Sequence, residues 1–159
     1  MSKRVTLDAI DGTIIRALQR DGRASYAELA PQVGLSAPAV RQRIQRLTES
    51  GVLQVVAVTD PLALGFPVMA LVGISVDGDI RTVADAVAEL HEVIYVVLTS
   101  GSFDLFAEVV CRTMDQLLAV VNDHLKAIPG VRDTESFVYF DIHTHRFTWD
   151  VPIPPTDLR

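Results

Sequence analysis

The sequence predicts an α+β protein of two domains: a winged helix-turn-helix three-helix domain over residues 1–60, then a ferredoxin-like βαββαβ domain over residues 61–146, with a short tail at 147–159. Three observations carry this. Ser25 to Leu47 reads SYAELAPQVGLSAPAVRQRIQRL, two short amphipathic segments around Gly-Leu-Ser, which is the pattern of two helices joined by a tight turn. Beyond residue 61, apolar segments recur in the order strand, helix, strand, strand, helix, strand. The charge balance also changes sign, from a net +2 over residues 1–60 to −8 over residues 61–159.

Thr6 is the expected cap of a first helix, with Asp8 and Asp11 in its opening turns, where carboxylates favour the helix dipole. Leu7, Ile10, Ile14 and Leu18 make its buried stripe, and Asp21-Gly22 ends it, with Gly22 suited to a left-handed conformation. Ser25 and Glu28 form a capping-box pattern for the second helix; Leu29, Ala30 and Val33 face inward and Gly34 stops it. Ser36 caps the third helix, Pro38 is tolerated in its first turn, and Val40, Ile44 and Leu47 face inward before Gly51 ends it. Val52 to Val58 is β-branched and reads as a strand, serving as a wing or connecting arm up to a boundary near residues 59–65.

In the second half, strands are expected at 67–76, 93–100, 103–112 and 134–143, and helices at 80–91 and 113–127. Val83, Ala84, Val87 and Leu90 stripe the first helix; Leu117, Val120, Val121 and Leu125 stripe the second. Pro129-Gly130 marks its end. A ferredoxin-like sheet carries both helices on one face, so its other face should alternate with polar residues if solvated. Instead VMALVGI (68–74), VIYVVL (93–98) and FVYF (137–140) are apolar on both faces. A large bare apolar face implies a partner, and a second copy stacked sheet to sheet about a two-fold axis predicts a homodimer. The tail, Val151 to Arg159, has three prolines and little to pack, so it reads as extended.

The bulk numbers set bounds. The chain has 159 residues and is 49% hydrophobic, enough for a real core. No apolar run reaches the roughly 18–20 residues of a bilayer span, and MSKRVTLDAIDG lacks the apolar core and cleavage site of a signal peptide. Cys111 is the single cysteine and suits a reducing cytosol, so a cytoplasmic location is expected. A net charge of −6 argues against nucleic acid only until its distribution is considered, because a local basic surface is enough to displace counterions from phosphates.

The third helix supplies that surface. With Val40 at 0° on a helical wheel, Val40, Ile44 and Leu47 face the core. Pro38, Gln42, Gln45 and Arg46 lie opposite, Arg41 and Ala39 on the flanks, and Arg43 beside the apolar stripe. Gln and Arg have the donor geometry for adenine and guanine edges, and a Pro or Ala methylene can rest on a thymine methyl. The expected interface with double-stranded DNA is therefore Ser36, Ala37, Pro38, Ala39, Arg41, Gln42, Arg43, Gln45 and Arg46. Pro38, Ala39, Arg41 and Gln42 approach bases, and Arg43, Arg46 and the Ser36 hydroxyl hold phosphates, with Arg23 as an outlying contact.

The stretches LDAIDGTIIRALQRDGRASYAELA (7–30), VGLSAPAVRQRIQRLTESGVL (33–53), SGSFDLFAEV (100–109) and IPGVRDTES (128–136) together resemble the Lrp/AsnC, or feast/famine, regulators. The resemblance covers nearly the whole chain in order. It implies a transcription regulator that dimerises through its second domain, assembles further into octamers, and senses a small effector, usually an amino acid, in pockets where dimers meet. No cofactor is implied. Only the proline-rich tail falls outside the family pattern.

A pocket for an amino acid needs a carboxylate, several donors and some apolar lining. The loop Thr99, Ser100, Gly101, Ser102, Phe103, Asp104 holds such groups: Gly101 lets backbone N–H groups approach a carboxylate, and Asp104 can pair with an ammonium. The resemblance adds Thr134 and Ser136 on the last strand as hydroxyl contacts. The plain alternative is a hairpin turn in which Asp104 caps its own backbone. His143 and His145, with His91 or His124 as a third ligand, do not fix a metal site. Asp77-Gly78-Asp79 lacks the remaining ligands of a calcium loop and reads as a turn. Trp149 and Phe147 are candidates to cover the sheet or a partner subunit.

The reading is thus a sequence-specific DNA-binding regulator modulated by a small effector, not an enzyme. An architectural protein that compacts DNA with little sequence preference is the alternative. An enzyme on the ferredoxin-like scaffold is weakest, since no nucleophile–base pair, metal set or cofactor loop is present.

Overall fold

The computed structural model describes residues 6–144 and Val151. It divides into two compact units: the first runs to Val58 and takes in Val151, and the second runs from Thr59 to His143.

The first unit is built from three helices, α1 (Ala9–Arg20), α2 (Tyr26–Val33) and α3 (Ala37–Glu49). The cap of α1 is Asp8, not Thr6: its side chain accepts from the Asp11 N–H while the Asp11 carboxylate accepts from the Asp8 N–H, a reciprocal box that Thr6 cannot make. Gly22 is not left-handed; α1 ends on Asp21 in an extended conformation. The expected box of Ser25 and Glu28 opens α2, and Gly34 closes it at φ 66°. Ser36 caps α3 through the Ala39 N–H. Ile14, Leu18, Leu29, Val40, Ile44 and Leu47 make one core, which Leu53, after α3, joins. Val151 is buried in the same cluster, so the tail does contribute one packed side chain. The rest of the tail and Phe147, Trp149 and His145 lie outside the described residues.

The expected strand at 52–58 does not form. This stretch has no ladder partner among the described residues, and Val55, Val56 and Val58 are more than half exposed. β-branched composition favours extended backbone, but a strand also needs a neighbour to accept its hydrogen bonds.

The second unit follows the expected order: β1 (Val68–Val76), α4 (Ile80–Ala88), β2 (Val93–Leu98), β3 (Leu105–Cys111), α5 (Met114–Ala119) continuing as a π-helical stretch (Val120–Leu125), and β4 (Val131–Val138). The antiparallel sheet has the strand order β2-β3-β1-β4 of a ferredoxin-like fold. Asp79, in the acidic turn, caps α4. The π-helical stretch departs from the expected continuous helix; Val120 and Leu125 lie five apart and are both buried, which a wider turn permits. β4 is displaced from the expected 134–143. It starts at Val131, directly after the Gly130 turn, and ends soon after Phe137 because its partner β1 begins at Val68.

One face of the sheet packs on the helices through Ala70, Val72, Ile74, Leu105, Ala107 and Val109, with Cys111 at the end of β3. Burial pushes the Cys111 thiol pKa up, and the charge of Glu92 adds to it. The register puts Leu71, Glu108 and Phe137 side by side on the other face, and likewise Gly73, Phe106 and Val97. Phe103 lies over Gly73 there, edge-on to Phe106 at 5.4 Å and Phe137 at 6.2 Å.

A Cβ at Gly73 would stand 2.7 Å from the Phe103 ring. Gly73→Ala is therefore expected to lift Phe103 and lose about 1–3 kcal/mol in urea unfolding. Restoration of stability by Phe103→Leu in the same chain would identify the ring as the obstacle, and an unchanged midpoint for Gly73→Ala would remove this close approach from the account.

Candidate nucleic-acid interface and effector loop

The helix α3 is amphipathic in the way the wheel requires, with Val40, Ile44 and Leu47 in the core and Pro38, Arg41, Gln42, Gln45 and Arg46 exposed. Ala37 and Ala39 are half-buried on its flanks. The turn before it is rigid: the Leu35 N–H donates to the Ala30 carbonyl, and Gly34 takes the left-handed conformation that lets the chain reverse. The Ser36 oxygen accepts from Ala39 N, leaving its O–H free to donate to a phosphate.

The cationic residues divide into two sets. Arg43 donates to Asp8 at 2.7 Å and to Asp11 at 2.8 Å, and Arg46 donates to Asp11 at 2.5 Å. Asp11 is fully buried, so both of its oxygens are held by arginines of α3. Arg46 was expected to point away from the core for phosphate; its guanidinium instead reaches back along α3 to α1. Gln45 donates to Glu49 one turn on. Among the described residues, Arg41 and Gln42 have neither an ion pair nor a side-chain hydrogen bond, and Arg23 is exposed without a carboxylate on its guanidinium. The unengaged groups are those of the first two turns of α3, which enter a groove deepest.

The role of Asp11 was missed from sequence, where it counted only as a first-turn acid. Position 11 lies between Leu7 and Leu18 on the same three-and-four spacing as Ile14, so a carboxylate on the buried stripe was the available signal. A buried charge needs a counter-charge, and the basic third helix is its source. Burial pulls the Asp8 carboxyl upward in pKa, but the Asp11 N–H, the Arg43 hydrogen bond and the charges of Arg43 and Arg46 outweigh it and hold it below the usual carboxylate range. Hydrogen bonding to Asp8 in turn raises Arg43.

The loop at the tip of the β2–β3 hairpin is a built turn. Thr99 N donates to the Asp104 carbonyl and Thr99 Oγ1 to the Phe103 carbonyl. One carboxylate oxygen of Asp104 accepts from the Val76 N–H at 2.8 Å, extending the β1 ladder. The Asp104 carboxylate thus does not cap its own turn, as the plain hairpin reading expects; it braces the hairpin tip against β1 with one oxygen. Gly101, at φ 147°, stands between Ser100 and Ser102, and all three are exposed. Thr134 and Ser136 pair with Ile74 and Val72, on the helix-covered face, whereas Phe103 lies on the opposite face. The chain does not bring these two sets together by itself. Thr134 Oγ1 is buried with no hydrogen-bond partner among the described residues.

Residues 7–48 match the family model of the AsnC-type helix-turn-helix domain, and residues 69–148 match that of the Lrp/AsnC ligand binding domain. The chain belongs to the Lrp/AsnC family. It is 34% identical to the HTH-type transcriptional regulator FL11 of Pyrococcus horikoshii over 152 residues, 94% of this chain and 99% of that protein. Among solved structures, Escherichia coli AsnC superposes with a TM-score of 0.78 at 26% identity, covering 91% of this chain and 99% of that one. A Neisseria meningitidis transcriptional regulator solved as an L-Met complex superposes at 0.77 with 25% identity, covering 92% and 97%. This Lrp/AsnC protein is a DNA-binding transcriptional regulator whose second domain is of the ligand-binding type. Among the described residues no helix is long and apolar enough to cross a membrane.

Asp11→Asn removes the charge that Arg43 and Arg46 share and should destabilise the first unit by about 2–4 kcal/mol, somewhat below a fully buried pair because both guanidiniums touch solvent. Asp8 binds its proton less tightly folded than unfolded. Its contribution is therefore complete above the unfolded pKa of about 3.9 and is lost as pH falls through the lower folded value. Melting curves from pH 2 to 7 should show this acid loss in the wild type and a smaller one in Arg43→Gln; parallel curves would exclude it.

Proposed function

We propose that this regulator binds a roughly palindromic duplex site as a homodimer, reading bases with Pro38, Ala39, Arg41 and Gln42, and that an amino acid acting on the second domain changes its assembly and so its operator affinity. The observation that carries the base-reading part is the division of α3: its first two turns present Arg41 and Gln42 unengaged, while Arg43 and Arg46 are bound to Asp8 and Asp11. In this reading the clamped arginines support phosphates only with the part of their guanidinium surface that faces solvent, and Ser36 O–H and Arg23 supply the remaining backbone contacts. The family's DNA-binding role suits a cytoplasmic protein.

Replacing Arg41 or Gln42 with Ala should weaken specific sites by about 1–3 kcal/mol and leave non-specific binding nearly intact. Gel shifts against a selected operator and a scrambled duplex, each across a salt series, measure both. An equal loss on the two duplexes would sink base reading by these residues, and affinity indifferent to salt would sink the DNA interface itself.

The homodimer rests on the bare face of the sheet. Tyr95 is 55% exposed and Phe137 42%, beside Leu71, Val97 and Phe106. Glu108, the acid at the middle of this face, accepts from the Tyr139 hydroxyl at 3.0 Å, while Glu135 and Asp133 lie at its edge on β4, opposite Gly73 and Ser75. Burial, then the Glu108 charge and hydrogen bond, push the Tyr139 pKa up to about 12, so the phenol stays a neutral donor. A satisfied carboxylate can be covered by a second copy at far lower cost than a free one. Phe137→Asp should convert the dimer to monomer in analytical ultracentrifugation without unfolding the chain; a wild-type monomer at micromolar concentration would refute this assembly.

An amino-acid effector is supported by the ligand-binding family model and by the methionine complex of the Neisseria relative. The exposed Ser100, Gly101 and Ser102 offer donors, and the Asp104 oxygen not used by Val76 offers an anion. Because Thr134 and Ser136 lie on the other face, a site using both sets takes them from different copies, which suits a pocket formed where dimers meet in an octamer.

A further inference from the structure

We propose that the second unit carries a further binding site, separate from the hairpin loop, for an α-amino acid with an apolar side chain. The site is a cleft of about 460 Å³ beneath the segment that leads into β1. That volume falls within the roughly 300–1,000 Å³ of small-molecule sites. Leu64 and Phe66 form one wall, and Ile94 and Val110 form the other. The turn that presents the first wall is held by the Phe66 N–H donating to the Pro61 carbonyl at 2.9 Å.

The polar groups give the cleft its ligand class. Arg112 lies with its guanidinium 5.1 Å from the centre of the Phe66 ring, and among the described residues it has no carboxylate partner. Gln116 ties this end of the cleft together: its Oε1 accepts from the Arg112 N–H at 2.8 Å, and its Nε2 donates to Glu92 Oε1 at 3.0 Å. One Glu92 oxygen is thereby fixed and the other remains available. The guanidinium stacked on Phe66 and the Glu92 carboxylate oriented by Gln116, which also holds the Arg112 backbone, match the carboxylate and ammonium of an amino acid, and the apolar walls match its side chain. A second copy of the apolar sheet face would leave both charges unmatched, which favours a zwitterion over a protein surface.

The cleft is not the hairpin loop. Glu92 precedes β2 and Arg112 follows β3, whereas the loop joins the other ends of the same two strands. Six residues of β2 separate them, about 20 Å at the rise of an extended strand. One wall belongs to the chain that continues back through Val58 to the reading head. An occupant would hold this segment in one conformation, which gives the ligand a route to the operator independent of assembly at the loop.

The test uses the full-length protein carrying Ser102→Trp, which obstructs the exposed loop. L-leucine, L-methionine and L-phenylalanine are titrated by calorimetry. At least one should bind, and binding should weaken about tenfold or more when Leu64→Trp fills the cleft or Arg112→Gln removes its cation. 4-Methylpentanoate, which lacks the ammonium, should bind about tenfold weaker than L-leucine. Leu64 and Arg112 are both exposed, and melting temperatures establish that each variant folds. If Arg112→Gln fails to fold, Leu64→Trp decides alone. Absence of binding by all three amino acids overturns the proposal, as does affinity indifferent to the cleft substitution, or equal affinity for the acid without its amine.

Discussion

The buried carboxylate of Asp11 is the constraint from which the first unit takes its shape. It sits on the core stripe of α1 with no exposure, and its two oxygens are bound by Arg43 and Arg46, about one turn apart on α3. Removing one partner of such a set leaves an uncompensated charge in the interior, so α1 and α3 cannot slide or rotate against each other without large cost. Apolar packing alone tolerates small rotations because Val40, Ile44 and Leu47 can repack. Two directed ion pairs do not. The rotational setting of α3, which decides what side chains a groove would meet, is therefore fixed by electrostatics on a helix otherwise seated by oil.

The same distinction between satisfied and unsatisfied groups orders the second unit. On the bare sheet face Glu108 is paired with Tyr139 among Leu71, Phe106 and Phe137, and the remaining acids, Glu135 and Asp133, stand opposite Gly73 and Ser75 on the outer strand β4. At the hairpin tip, Thr99 and one Asp104 oxygen are consumed by backbone, leaving Ser100 to Ser102 in solvent. Among the described residues Thr134 Oγ1 is a buried hydroxyl without a partner, and an unmade hydrogen bond of this kind costs about 1–3 kcal/mol.

The helices were legible in the sequence because each is announced locally. Ser25 with Glu28, Ser36 and Gly34 are signals contained within one turn of chain. The strand order followed from the alternation of elements, since few topologies suit βαββαβ. What was not legible depends on groups far apart in sequence. The segment 52–58 has the composition of a strand, yet pairing is decided by what lies alongside it. The start and end of β4 are set by the extent of β1, some sixty residues earlier. The clamp on Asp11 joins positions 32 and 35 residues apart, and wheel geometry placed Arg46 outward because a wheel records where Cα–Cβ points, not where a long flexible side chain ends. The approach of Phe103 to Gly73 is likewise invisible until the register is known.

These features together restrict how a signal can reach the DNA. A reading head whose recognition helix is pinned by Asp11 has no soft internal coordinate for an effector to bend. If the chain binds as the proposed homodimer, differential affinity comes from where two heads are held along a duplex, since half-sites about one helical turn apart tolerate little change in spacing. In the chain that leads out of the first unit, Val55, Val56 and Val58 are exposed and, among the described residues, have no ladder partners. Valine is stiff at χ1 and disfavours helix, so this connector is restricted in conformation without being tied to either unit by a ladder. In the proposed reading, a connector of this kind can pass a change in the effector domain on to the head, whereas a flexible Gly/Ser linker would dissipate it.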